Sequence, residues 1–425
     1  MRFEDFKIDH IRGQFPALCR TVNGKPAAFL DAPGGTQVPK RVVDAVTDYL
    51  YNTNANIHGV FATSKESDAL TWEAKVVFAD FLGCEPEEVI FGENSTSNNF
   101  KLSYALARTL KPGDEVLITD IDHEGNRSPW RVLEDFGIIV KSIRINPEDI
   151  TLDFEDFKSK LSDKTKFLAI NWAANSCGTI TDVKKFIDEA HKVGALTLVD
   201  AVHYAAHRAI DVKAIDTDFL VCSPYKYFGP HLGVVYCKKE VGDKMISTRV
   251  LADDNTEMPY KFETGTVAME LVSGAREAVE FIADIGAKHV EYFEEELTQY
   301  SGRRKNIIAG MMSIDIYEEH LAKKLRQKLS AMNDVTVYGP EDGAQRTSTV
   351  SFDIKGHNCN DIAKFFAAKG IFVWDGDYYA IETISNTLKL DAQGGLVRIG
   401  LAPYTIEDDI DRVIDAVDEY QNLNK

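Results

Sequence analysis

The chain has 425 residues, a formal net charge of −19, 44% hydrophobic and 27% charged residues. That length favours two domains over one core, and the acidic balance disfavours nucleic acid and anionic membranes as general partners. The opening run Met1–Lys7 has no apolar signal core, and no stretch approaches the roughly 20 apolar residues of a membrane span. Cys19, Cys84, Cys177, Cys222, Cys237 and Cys359 are scattered without C-x-x-C spacing. That pattern argues against a metal site or a disulfide framework and fits a reducing cytoplasm.

Hydrophobic periodicity predicts amphipathic helices over 64–82 and 95–110, the second ended by Lys111-Pro112-Gly113. Strands follow at 115–119, 138–145, 167–170 and 196–199, with helices at 129–136 and 182–193 between them. Two further strands, 219–221 and 233–236, close the series. Apolar strands joined by helical crossovers imply a mostly parallel sheet covered on both faces, hence an α/β fold. After about residue 285 the pattern changes to long charged helices over 288–312 and 316–332. Strands at 335–338 and 347–354, a helix at 361–369, short strands near Ile371 and Leu396 and a final helix over 406–420 then form a smaller α+β unit. There is no internal repeat and no low-complexity segment.

Lys226 lies in the loop Cys222-Ser223-Pro224-Tyr225-Lys226-Tyr227-Phe228-Gly229-Pro230, directly after a strand. Asp200 ends the strand before it. A lysine so placed can form a Schiff base with an aldehyde cofactor, and the aspartate can keep a pyridinium nitrogen protonated; together they describe pyridoxal phosphate (PLP) chemistry. Each is weak alone, since most lysines are solvated and strand-terminal aspartates often cap helices. Both fall at the carboxyl ends of strands, where open α/β sheets bind ligands.

Other residues fit around this pair. Phe91-Gly92-Glu93-Asn94-Ser95-Thr96-Ser97 leads from a strand into a helix and reads either as an anion site or as plain capping by Ser95. Ser223 adds a hydroxyl nearby. His123, in Asp122-His123-Glu124-Gly125-Asn126, could stack on a ring and move protons, or be an ordinary loop histidine. His203 could donate to a phenolic oxygen, or be a packed histidine at a helix start. No metal site is expected. A dinucleotide oxidoreductase is disfavoured because Gly34-Gly35 has no G-x-G-x-x-G context.

With these motifs in order, the chain resembles the class V, fold-type I PLP enzymes, most of all the cysteine desulfurase and selenocysteine lyase group. The resemblance runs from Phe29-Leu30-Asp31-Ala32 to Val397-Arg398-Ile399-Gly400-Leu401. It implies a large cofactor domain of residues 26–285 with a seven-stranded type of sheet. A small α+β domain would be made by 1–25 and 286–425. It also implies roles. Lys226 is the Schiff-base lysine, Asp200 faces the pyridine nitrogen, and His123 stacks on the ring. Ser95, Thr96 and Ser223 hold phosphate, while His203 and Asn175 stand beside the cofactor. Phe262-Glu263-Thr264-Gly265-Thr266 is similar to a motif whose threonine reaches the partner subunit's phosphate, which implies a homodimer. Arg398 grips an amino-acid substrate's carboxylate. Gly35, His58, Asn175 and Tyr379 also border the substrate.

One stretch departs from the group. The desulfurases carry a persulfide-forming cysteine on the loop similar to Gly370–Ala380, and here Tyr379 stands at that place, with Trp374 where an arginine is usual. A phenol with pKa near 10 cannot accept and carry persulfide sulfur. Cys177 and Cys222 read as small packed residues. The expectation is therefore PLP chemistry at the α-carbon of an amino acid, with β-elimination on a cysteine derivative of the C–S lyase type. The alternatives are class V transamination, epimerisation, and a catalytically silent PLP-binding partner protein.

Overall fold

The computed structural model describes residues 1–250 and 257–424. Seven strands form the main sheet: β1 (Val89–Gly92), β2 (Glu115–Thr119), β3 (Ile139–Ile143), β4 (Thr165–Asn171), β5 (Leu196–Asp200), β6 (Phe219–Cys222) and β7 (Gly233–Cys237). Their order across the sheet is β1-β7-β6-β5-β4-β2-β3. Strands β3, β2, β4, β5 and β6 pair in parallel; β7 runs antiparallel to both β6 and β1. β1, β2 and β7 are buried along their whole length. Such strands need apolar residues on both faces, which is why they read as continuous apolar runs rather than alternating ones.

The covering helices are α1 (Lys40–Asp48), α2 (Ala62–Leu82), α3 (Ser95–Ala107), α4 (Val183–Lys192) and α5 (Met269–Ala287). α2 stops at Gly83, whose φ of +80 is a left-handed cap that glycine adopts without strain. α3 is capped by Asn94, whose side chain accepts from the Ser97 N–H at 2.8 Å. Ser95 is therefore not the cap; it is the first helical residue, and its hydroxyl bonds instead to Ser223 and the Cys222 carbonyl.

The second sheet has four antiparallel strands: β8 (Val335–Tyr338), β9 (Val350–Ile354), β10 (Trp374–Gly376) and β11 (Leu396–Ile399), in the order β8-β9-β11-β10. Helices α6 (Gly302–Ser330), α7 (Cys359–Ala368) and α8 (Glu407–Leu423) pack around it. The N-terminal Phe3 and Phe6 stack on Tyr317 of α6 at 4.9 and 4.1 Å between ring centres.

Two sequence expectations need correction here. The helices read over 288–312 and 316–332 are not separate. Residues Val290–Phe293 form a single 3-10 turn, and one unbroken helix of 29 residues begins at Gly302. Ser313 and Asp315 look like a break because both are weak helix formers. In the fold Ser313 bonds back to the Ala309 carbonyl at 2.7 Å and the helix continues. The 19-residue helix α5 was not anticipated at all. It crosses α6 at Gly286 and Gly310, where an added Cβ would lie 1.7 Å from the Asn306 carbonyl and 2.3 Å from the Ile282 carbonyl. Only glycine allows the two backbones so close.

Candidate active site

The carboxyl ends of β1, β2, β4, β5 and β6 converge on one cavity of about 1230 Å³. Each end delivers a polar residue by the shortest route. β5 ends in Asp200 itself, and β6 leads through Ser223 to Lys226. β2 leads to His123, β4 ends in Asn171 and continues to Asn175, and β1 turns into the first residues of α3. β10 and β11 close the opposite wall with Trp374 and Arg398. The two sheets thus make one site between them.

Lys226 donates to the Pro33 carbonyl. Burial and then the Arg398 charge lower its pKa to about 7, against the opposing pull of Asp200. Asp200 accepts from the Val202 N–H at 2.9 Å. Burial raises its pKa to about 6, offset in part by that hydrogen bond and by Lys226. Both groups sit near neutrality because desolvation penalises their charged forms.

His123 accepts from the Gly125 N–H through Nδ1 at 2.8 Å. That bond leaves the proton on Nε2 in the neutral ring. Burial and the charges of Lys226 and Arg398 bring its pKa down to about 4, so the imidazole is neutral at pH 7. The loop beneath it is fixed by Asp122, which accepts from Thr119 and, at 2.9 Å, from Asn126. Burial and the nearby Asp200 push the Asp122 carboxyl well above its usual range.

The Ser95 hydroxyl lies 2.8 Å from that of Ser223 and 3.1 Å from the Cys222 carbonyl. With Thr96 and Ser97 it brings the N-terminus of α3 into the cavity wall. Helix N-termini with free N–H groups bind phosphate. His203 lines the wall too, but its Nε2 is engaged at 3.1 Å by Thr347 and 3.0 Å by Thr349. The buried side-chain oxygens of Asn171 and Asn175 have no hydrogen-bond partner among the described residues. Buried acceptors left open in a cavity wall call for a ligand donor.

Arg398, on β11, gives Nη1 to the Asn175 carbonyl at 2.9 Å. Its guanidinium carbon lies 4.0 Å from the centre of the Tyr378 ring. Tyr378 donates to the Leu396 carbonyl, and Asn175 donates to the Tyr378 carbonyl at 3.0 Å. Tyr379 stands at the mouth of the same cavity. It is 67% exposed, its ring centre 5.4 Å from that of His123 at the mouth.

Most of the residues singled out in the sequence therefore meet here: Lys226, Asp200, His123, Ser95, Thr96, Ser223, Asn175, His203, Arg398 and Tyr379. Three do not line the cavity of the single chain. Gly34 takes the place expected for Gly35, whose Cβ would lie 3.2 Å from Tyr225. His58 is exposed and sits 3.2 Å from Asp68, and Thr266 is on the surface. Sequence reasoning missed Asn171 and the stacked pair Tyr225–His231, 4.6 Å apart. Asn171 was signalled by its place at the end of a strand beside Asp200. No cysteine lines the cavity among the described residues. Cys222 lies 3.2 Å from the Tyr227 hydroxyl, and burial raises its pKa to about 12. Cys177 is buried 3.3 Å from the Thr179 hydroxyl.

A phosphate cradle, a lysine, an aspartate one strand away and a neutral histidine over the gap fit PLP at each end of the molecule. This is the site and sheet of a fold-type I PLP enzyme. The chain belongs to the aminotransferase class-V family, whose model matches residues 28–307 and 305–413. It is similar to a cysteine desulfurase of Haloferax volcanii, 29% identical over 98% of this chain and 97% of that one. A probable cysteine desulfurase of Halalkalibacterium halodurans is 32% identical over 94% and 95%. In three dimensions it resembles the cysteine desulfurase of Thermococcus onnurineus, with a TM-score of 0.83 at 24% identity over 99% and 98% of the two chains. The protein is a PLP-dependent enzyme of the cysteine desulfurase-like kind. No described helix is long and apolar enough to cross a membrane.

Proposed function

We propose that the enzyme performs β-elimination on an S-substituted L-cysteine and does not form a persulfide. One observation carries the reading. The residues for cofactor and carboxylate meet in one cavity, while its substrate wall presents Tyr378 and Tyr379 and no cysteine among the described residues. The net change is an S-substituted cysteine plus water giving a free thiol, pyruvate and ammonium.

Bound PLP supplies an electron sink for the pair released at the substrate's α-carbon. The chain's own residues do the rest. Arg398 binds the α-carboxylate. Lys226, whose basicity is lowered to about 7, is available as a neutral amine to take the α-proton. Asp200 holds a negative charge against the pyridine nitrogen. His123 covers the ring face as a neutral imidazole, adding no charge there. Tyr379, at the mouth beside His123, is the phenol assigned to protonate the departing sulfur.

Thr266 belongs to the same reading. It is exposed on the single chain, as are Leu50, Tyr51, Val60 and Phe61. A homodimer that carries Thr266 to the partner's phosphate would bury such residues. Sedimentation of the holoenzyme as a monomer would contradict it. Residues 26–285 and the combination of 1–25 with 286–425 are proposed as the two domains, and limited proteolysis should cut between them. The six unpaired cysteines support a reducing cytoplasm, which cell fractionation tests.

The experiment is product analysis with S-methyl-L-cysteine. Pyruvate with methanethiol supports elimination. A keto acid that keeps its sulfur, with the amine form of the cofactor, would replace this reading with transamination, the chemistry in the family's name. Inversion at the α-carbon would mean epimerisation, and no Lys226-dependent absorbance would mean a silent binding partner.

A further inference from the structure

Arg398 is a cation placed where charge is expensive. It is 4% exposed and makes no ion pair among the described residues, although the Asp31 carboxylate acts on it from beyond contact distance. Burial lowers its pKa to about 10, which still leaves it charged at neutral pH. An unpaired buried charge survives only with hydrogen bonds and polarisable neighbours around it, or an anion still to come.

Its surroundings come from the loop after β10 and from Asn175. Tyr378 lays its ring over the guanidinium at 4.0 Å, the geometry of a cation–π contact. Its hydroxyl is tied to the Leu396 carbonyl, two residues before Arg398 on the same strand. Its carbonyl accepts from Asn175, and the Asn175 carbonyl in turn accepts from Arg398 Nη1. Three groups therefore close a ring around one face and one nitrogen of the arginine. Arg398 Nε is buried and has no hydrogen-bond partner among the described residues. The edge left open is the one a carboxylate binds in a bidentate pair. Tyr378 has a φ of +56, a left-handed conformation costly for a bulky residue. Its neighbour Tyr379 shares it at +58. Backbone held there by surrounding contacts points to a role worth the strain.

We propose that Tyr378 is a positioning residue for substrate recognition. It fixes the Arg398 guanidinium so that its open edge meets the α-carboxylate. The loop after β10 thus carries a clamp for the carboxylate anchor. The inference rests on the reading of Arg398 as that anchor.

The test uses holoenzyme and two probes, S-methyl-L-cysteine and 2-(methylthio)ethylamine, which lacks the carboxylate. Binding is read from the change in cofactor absorbance. Tyr378→Leu should weaken S-methyl-L-cysteine binding about tenfold, while the amine binds within twofold of the parent. Tyr378→Phe, which keeps the ring, should stay within about threefold for both. If Tyr378→Leu fails to fold, Tyr378→Met removes the ring while keeping apolar bulk and carries the same expectation. Equal loss for both probes, or no loss for either, overturns the positioning role. Arg398→Lys separates the two layers. If it leaves S-methyl-L-cysteine binding unchanged, the anchor reading itself fails. If it weakens binding and the Tyr378 variants do not, only the role of Tyr378 falls.

Discussion

Lys226 and Asp200 face the same cavity without forming an ion pair: the lysine turns to the Pro33 carbonyl and the aspartate to the Val202 N–H. Both carry pKa values pulled toward neutrality, to about 7 and about 6. A direct salt bridge would hold each in its charged form. Without that bridge the lysine keeps its lowered basicity and stays nucleophilic.

The lysine's reactivity follows. In the apoprotein, the neutral Lys226 amine should accumulate as pH rises through about 7, not through the ordinary lysine value near 10.4. The rate of reductive methylation at Lys226, followed by peptide mass spectrometry, should level off by about pH 8. A rate still climbing at pH 10 would contradict the lowered basicity. The unfolded chain also binds this proton more tightly, so Lys226 contributes stability that grows between about pH 7 and 10.

For Asp200, the role is electrostatic and separable from binding. Asp200→Asn should keep the cofactor's lysine-dependent absorbance and lose activity by about 100-fold or more, the scale of a removed charge-stabilising group. Loss of the absorbance together with activity would make the residue structural.

At the mouth, Gly34 and Trp374 are in contact. A Cβ on residue 34 would lie 2.1 Å from the Trp374 Nε1. Since the indole is 50% exposed, it can swing outward at little cost. Gly34→Ala should change stability by less than about 1 kcal/mol while altering KM several-fold and shifting tryptophan fluorescence. Unchanged KM would remove Trp374 from the substrate wall.

Outside the cavity wall, Lys75 and Glu263 pair at 2.6 Å, both buried. They finish the open edge of β1: the lysine donates to the Val89 carbonyl at 2.9 Å, and the carboxylate accepts from the Phe91 N–H at 3.2 Å. Lys75→Met strands the carboxylate and should cost about 3 kcal/mol, read from the urea midpoint. An unchanged midpoint would show that the edge needs no such pair.

The cofactor half of this site was legible because it is carried by strand ends. Asp200, Lys226, His123 and Asn175 each follow a continuous apolar run, and a parallel sheet brings all such ends to one edge. The substrate half was not. The resemblance set Tyr379 beside the substrate, and in the fold it stands at the cavity mouth. Tyr378 and Tyr379 both take left-handed backbone, and it is Tyr378 whose ring lies on Arg398. His58 and Gly35 belong to loops whose course depends on packing that no local pattern encodes. The helix α6 was split because Ser313 is weak in isolation, whereas its contact with α5 through Gly286 and Gly310 is a tertiary fact.

The most direct test is to give the holoenzyme S-methyl-L-cysteine and free L-cysteine in parallel and measure every sulfur and carbon product. The account predicts pyruvate and methanethiol in equal amounts from the first, and no protein persulfide with alanine from the second. Alanine and persulfide formed from cysteine at a good rate, with no pyruvate from the conjugate, would contradict it.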